Sequence, residues 1–411
     1  MSGTLISNVR IFDGSGSDAK AGQLLIEGDR IAAVLAADAS VGDAHLRRID
    51  GGERFLMPGM VEAHAHLTWP SSIERVFTGM QVPYAEHVAV TEANARITLD
   101  AGFTSAYSAG SLGEDIEPAM RDRINAGLIP GPRLRASALE KGMEGVMGVP
   151  EGHDPTHDRS IPGLVDYVRA RKAAGCDSIK FLMSSDEAFQ RGGAQILMYS
   201  EEECQAIGRT AAEEGVWLAC HAQAAEAIKR AVRAGFRAIY HCTHADEEAL
   251  DLLEAHRDRL FVAPAPGLLY ARCFEAQSFG IGPAEAEAMG ATSGLAAMER
   301  LMPELKRRGV RVLPGGDYGF PYNVVGRNAR DLQIFVERFG FTPAETLRAA
   351  TWEGGELMDM QIGRISEGWL ADVLLVDGDP LADITVLQNQ ARISGIMQGG
   401  TWRRLEEICL N

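Results

Sequence analysis

No stretch of this sequence stays apolar for the roughly 18 residues that a bilayer crossing requires, so no membrane-spanning helix is expected. The opening segment, MSGTLISNVRIFDGSGSDAK, lacks a basic region followed by an apolar one, and no secretory signal is expected. Cysteine is sparse. The six residues (Cys176, Cys204, Cys220, Cys242, Cys273 and Cys409) form no CxxC pair and no framework spacing, so reduced thiols in a cytoplasmic protein are the expectation. Basic residues are also short, 40 Lys and Arg against 57 Asp and Glu, and the net charge of −17 argues against nucleic acid or an anionic membrane as partner. That balance says nothing of the substrate's charge, because one Arg inside a pocket dominates locally. What the chain does have is 46% hydrophobic residues over 411 positions, enough for a large core in two or three domains or one big barrel with an attachment.

The ends of the chain share one texture. GTLISNVRIFDG, GQLLIEGDRIAAVL and HLRRIDGGERFLMPG are short apolar or alternating runs broken by Gly and Asp, and GRISEGWLADVLLVDGDP and ARISGIMQGGTW resemble them. Between the ends, strand patterns at 60–66, 103–107, 133–136, 178–182, 216–221, 237–241, 260–264 and 310–317 alternate with helical ones such as EEECQAIGRTAAEEG and AAEAIKRAVRAG. Eight such repeats predict an α/β chain: a (β/α)₈ TIM barrel over 59–362, with a small β-sandwich domain assembled from 1–58 and 363–411. A doubly wound open sheet is the runner-up, but no GxGxxG turn follows the first strand.

In such a barrel the chemistry sits at the C-terminal ends of the strands. His64 and His66 close the first strand, and the two-residue period sends both side chains to one side. Lys180 lies in the fourth, His221 closes the fifth, His241 the sixth and Asp317 the eighth. Singly, each has an ordinary explanation: a hydrogen-bonded core His, a Lys reaching solvent, a turn Asp after Gly-Gly. Six together at one barrel end point instead to a divalent metal site, since imidazole and carboxylate are usual ligands. An ammonium has no lone pair to give, but Lys180 joins the set if CO₂ converts it to a carbamate able to bridge two ions. His87, His153, His157, His244 and His256 fall in helix or loop patterns and are read as structural or solvated, with His244 nearest the barrel mouth. Cys220 and Cys242 flank ligand positions, and alternation turns them toward the helices.

These residues resemble the amidohydrolase superfamily, in its imidazolonepropionase-like and prolidase-like branch. The resemblance rests on MPGMVEAHAHL, DSIKFLMSS, ACHAQAAEAIKRAVRAGFRAIYH, LPGGDYG, FTPAETLRAATWEGGELM and GRISEGWLADVLLVDGDPL, in order and over nearly the whole chain. It implies a binuclear centre held by His64, His66, carbamylated Lys180, His221, His241 and Asp317, filled by Zn²⁺, with Mn²⁺, Co²⁺ or Fe²⁺ as alternatives, or by a single ion as in some branches. A hydroxide shared by the ions would attack an amide, peptide-like, cyclic amide, urea or carbamate carbon of a small molecule, with Asp317 as general base and then acid. Three departures alter the substrate side: His221-Ala222-Gln223, Ile239-Tyr240-His241-Cys242, and AYSAGSLG after the second strand. Lactones, esters and phosphotriesters would meet the same nucleophile. A non-enzymatic scaffold is the remaining alternative, which the filled ligand positions oppose. Tyr270, Arg272, Tyr318, Tyr322 and Arg327, in loops above the strands, are the candidate substrate contacts, an Arg there pairing with a carboxylate. The Gly-rich segment KGMEGVMGVPEGHDPTHDRS is the candidate lid. Relatives of this kind commonly assemble, so a homo-oligomer is expected.

Overall fold

A computed structural model describes residues 3–42, 45–71, 83–112, 115–142, 158–189 and 191–406. Residues 143–157 of the candidate lid (141–160), with His153 and His157, lie outside them. The chain begins with β1 (Thr4–Ile11), β2 (Lys20–Glu27), β3 (Arg30–Ala36), β4 (Arg47–Asp50) and β5 (Phe55–Pro58). Seven parallel strands follow: β6 (Met60–Ala65), β7 (Phe103–Ser108), β8 (Arg133–Arg135), β9 (Ser178–Leu182), β10 (Trp217–Ala224), β11 (Ala238–His244) and β12 (Phe261–Ala263). The chain ends in β13 (Val373–Val376), β14 (Ile393–Gln398) and β15 (Thr401–Leu405).

The two ends interleave in one hydrogen-bonded sheet of order β15-β14-β13-β5-β1-β2-β3, with β4 beside β1. The seam is antiparallel: Phe55 to Pro58 of β5 pair with Val376 to Val373 of β13. Alternation buries Ile6, Leu24, Ile26, Leu56, Val373 and Leu375 on one face, so neither end would have a core without the other. A bidentate pair ties this sheet to the parallel strands: Arg133 Nε and Nη2 donate to Asp372 Oδ2 (2.8 Å) and Oδ1 (3.0 Å), both partners largely buried.

The parallel strands form two arcs, β6-β7-β8 and β12-β11-β10-β9. A bridge between Lys141 and Phe181 links them, and a further bridge, Val262 to Val312, adds the eighth segment beside β12. That segment is far shorter than its sequence pattern. Pro314 offers no N–H, Gly315 and Gly316 carry no side chain, and Asp317 turns to φ 57°, so the chain leaves the ladder after one bridge. No ladder joins it to β6 among the described residues.

Inside the arcs large and small residues alternate. Tyr107, Tyr240 and Phe261 pack among Ala63, Ala109, Ala219, Ala238 and Ala263, and Leu357, Met358 and Ile362 of the returning segment seal the far end. The outer layer holds the apolar faces of the helices. The helix Glu201–Glu214 starts with a capping box, Ser200 Oγ accepting from Glu203 N while Glu203 Oε2 accepts from Ser200 N, and stops at Gly215 in the left-handed region. Cys220 and Cys242 lie in this layer, as alternation requires. The five described cysteines are free thiols, and no helix among the described residues is long and apolar enough to cross a membrane.

The same helix contacts its neighbour closely at Gly208, where a Cβ would stand 2.0 Å from the Ala234 carbonyl oxygen. Gly208→Ala should therefore lower stability by about 1–3 kcal/mol despite the better helix propensity of Ala. Urea unfolding measures it, and an unchanged or raised midpoint would contradict this packing.

Candidate metal centre

The parallel strands and the eighth segment bring five of the six predicted residues into one buried cluster, with Lys180 beside it. His64 and His66 lie with ring centroids 5.2 Å apart, His64 and His241 at 5.3 Å, and His221 and His241 at 4.4 Å. Asp317 Oδ1 is 3.2 Å from His66 Nε2 and 3.8 Å from His64 Nε2. One ligand atom from each of His64, His241 and Asp317 falls within 4.8 Å of the others, a span one cation can bridge. His221 and His241 sit inside longer strands rather than at their ends. The chain passes through His241 and Cys242 in left-handed conformations (φ 72° and 55°) and the pairing of β10 with β11 shifts register there. Such conformations cost on the order of 1–3 kcal/mol each in non-glycine residues, and Asp317 shares them.

Electrostatics suit a cation. Burial, outweighing the Asp317 charge, pushes the His64 imidazole well below its usual value, and burial does the same for His241; His221 is lowered from the same cause. Burial thus favours the neutral, lone-pair-bearing form of all three. Burial would raise the Asp317 carboxyl, but the His64, His66 and His241 imidazoles and a hydrogen bond from His66 outweigh it and hold the group well below the carboxylate range. His64 Nδ1 is buried without a hydrogen bond, and the His66 ring is oriented by Gly110 O, 3.1 Å from Nδ1. A buried carboxylate beside several buried imidazoles is a donor set that fits a divalent ion.

Lys180 Nζ donates to Ala109 O at 2.7 Å, lies 3.8 Å from Glu140 Oε1 and stands 4.7 Å above the Tyr240 ring, which itself stacks on His64. Glu140, also 3.7 Å from His66 Nδ1, was not foreseen from the sequence, since it follows a three-residue strand and carries no motif. Trp69, 4.7 Å from His66, and Asp186, whose Oδ2 is 4.0 Å from His221 Nε2, were also missed.

Beside His221 opens a cavity of about 200 Å³ lined by Asp186, Gln223, Thr243, His244, Leu269 and Gly294. Gln223, part of the His221-Ala222-Gln223 departure, donates to Asp186 Oδ2 at 2.6 Å. His244 is exposed on this wall, whereas His256 bonds Leu252 O in its own helix and His87 is buried.

The five candidate substrate contacts divide. Arg272 is 6% exposed, has no carboxylate within 4 Å among the described residues, and keeps its charge through the Tyr322, Asp186 and Asp317 fields despite burial. Its Nε donates to Tyr322 Oη at 3.4 Å. Tyr318 is turned away from the mouth, its hydroxyl donating to Asp331 Oδ1 at 2.7 Å. Tyr270 lies under the Arg330 and Arg338 guanidiniums, and exposed Arg327 forms a two-point pair with Glu275.

The chain is 26% identical over 430 residues to an ochratoxinase from Aspergillus niger, covering 97% of this chain and 86% of that one. It superposes on a prolidase complexed with N-methylphosphonate-L-proline (TM-score 0.87) and on an Xaa-Pro dipeptidase with bound methionine (TM-score 0.85), each 25% identical and covering 98% of this chain and 100% of the other. The model of the amidohydrolase family matches residues 55–403. The chain belongs to the amidohydrolase family.

Proposed function

We propose that this protein is a metal-dependent hydrolase of a C–N bond in a small molecule: an amide, a peptide-like or cyclic amide, a urea or a carbamate. The observation that carries the reading is the convergence of His64, His241 and Asp317 ligand atoms at one buried point. The relatives named as ochratoxinase, prolidase and Xaa-Pro dipeptidase support it. In this reading the arcs and the eighth segment close a (β/α)₈ barrel over 59–362, and residues 1–58 and 363–411 form the attached β-domain. His64, His66, His221, His241, Asp317 and a carbamylated Lys180 hold two divalent ions, Zn²⁺ before Mn²⁺, Co²⁺ or Fe²⁺. When bound, such ions polarise a carbonyl oxygen and lower the pKa of water.

The residues do the rest. Asp317, held ionised by its neighbours, accepts the proton of the attacking water and passes it to the leaving nitrogen, so the C–N bond breaks with a neutral amine departing. The neutral imidazoles keep lone pairs toward the centre, and burial excludes competing water. Arg272, a buried cation without an ionic partner among the described residues, anchors a substrate carboxylate, with Tyr322 fixing its Nε. Arg272→Leu should raise KM for carboxylate-bearing substrates by about 10–100-fold with kcat nearly kept, and should spare the corresponding neutral amides. Equal effects on both would remove Arg272 from this role.

The direct test uses purified protein. Elemental analysis should find about two divalent ions per chain, and chelation should abolish hydrolysis across a panel of N-acyl amino acids, dipeptides, anilides, ureas, carbamates and lactones, with restoration by Zn²⁺. A chain that takes up no divalent ion, or one that cleaves only the lactones, refutes the proposal.

A further inference from the structure

The mouth of the barrel has a seam between β6 and the eighth segment, where no backbone pairing joins the two among the described residues, yet His64 and Asp317 lie on its two sides. Side chains between 323 and 331 do the joining. Glu62 Oε1 accepts from His64 N (3.0 Å) while its Oε2 accepts from Asn328 Nδ2 (2.6 Å), and Asp331 Oδ2 accepts from Gly315 N (3.2 Å). Asn323 is fully buried and donates its one amide nitrogen to two successive carbonyls, Gly316 O at 2.8 Å and Asp317 O at 2.9 Å. Its amide oxygen accepts from Arg330 Nη2, which also donates to Gly267 O at 2.8 Å. Its own backbone closes the loop, Asn323 O accepting from Gly319 N at 2.8 Å and Asn323 N donating to Phe320 O at 3.0 Å.

We propose that Asn323 is a positioning residue: it holds Asp317 in its left-handed conformation and thereby sets the carboxylate against His64, His66 and His241. The inference rests on the metal-centre reading above. Its logic is local. His241 shares positive φ but keeps a ladder partner in Ala222, whereas Asp317 has φ 57° and no ladder partner among the described residues. A non-glycine residue keeps that conformation only where its surroundings over-determine it. The two carbonyls that flank the Gly316–Asp317 turn are satisfied by a single side chain, and that side chain is locked in turn by Arg330. Without it, Asp317 is free to relax toward the right-handed region, which swings the carboxylate off the imidazoles.

The test uses the full chain with Co²⁺ as a coloured probe of ligand geometry. Asn323→Ala removes the donor, and Asn323→Asp keeps the shape while replacing the donor with an acceptor. Circular dichroism and thermal unfolding report folding, chelator competition reports affinity, and visible absorption reports the coordination of the ion. At least one variant is expected to fold, to bind Co²⁺ about 10- to 100-fold more weakly than the natural chain, and to show shifted Co²⁺ bands. A folded variant with unchanged affinity and unchanged bands overturns the proposal. Loss of folding in both variants also overturns it, because it assigns Asn323 to the fold rather than to Asp317. If the natural chain itself takes up no Co²⁺, the metal-centre reading fails and the clamp falls with it, a result distinct from normal uptake in every variant.

Discussion

Asp317→Asn is expected to leave metal content near that of the natural chain while lowering kcat by about 10²- to 10⁴-fold, the usual worth of a positioned acid–base group. Asn has the same shape, so the carbonyl contacts to Asn323, which involve only the backbone, are unaffected. Its amide oxygen still offers a lone pair toward His66 and His64. What it cannot do is accept the proton of the attacking water and return it to the leaving nitrogen. The carboxyl of Asp317 lies well below the usual range, with burial opposed and outweighed by the histidines around it. Its base form is therefore present throughout the neutral range, and the lost step is proton transfer rather than a shift in protonation. Elemental analysis alongside steady-state kinetics decides the matter. A variant with full metal and kcat within about tenfold of the natural value would take the proton away from Asp317.

Lys180→Met should cut the metal content from about two ions per chain to one or fewer, and turnover by about 10²- to 10³-fold, comparable with loss of one preorganised electrostatic partner. Lys180 is 2% exposed in the centre of β9, a position where a cation is costly without a purpose. Its ammonium is met by Ala109 O, Glu140 and the Tyr240 ring, which hold Nζ at the edge of the histidine cluster. Met preserves the apolar stem and much of the volume, so the comparison isolates the terminal nitrogen. Carbamylation adds a second readout: metal loading in CO₂-free buffer should be incomplete for the natural chain and restored by bicarbonate, and the variant should respond to neither. Two ions retained by Lys180→Met would end the carbamate reading.

The order of elements was legible because local rules govern it. The helices predicted from EEECQAIGRTAAEEG and AAEAIKRAVRAG appear as Glu201–Glu214 and Ala225–Ala234, each stopped by the glycine that ends its segment, Gly215 and Gly235. Period-two alternation placed His64 and His66 on one side of β6 and turned Cys220 and Cys242 toward the helices. The joined ends were visible as a shared texture, although hydrogen bonding makes them one continuous sheet where two packed layers were anticipated.

Contacts between distant segments obey no local period, and there the sequence was silent. Glu140 faces Lys180 across 40 positions, and Asn328 reaches Glu62 across 266, through side-chain geometry that no spacing encodes. Tyr318, Tyr270 and Arg327 are candidates on the same sequence grounds as Arg272, yet packing commits the Tyr318 hydroxyl to Asp331, the Tyr270 ring to Arg330 and the Arg327 guanidinium to Glu275, and leaves the guanidinium of Arg272 without an acid among the described residues. Residue type and strand position thus named the chemistry available at the mouth. Which of those groups stay free to perform it follows from three-dimensional neighbours, because a buried polar atom is either satisfied by another part of the chain or left for a ligand.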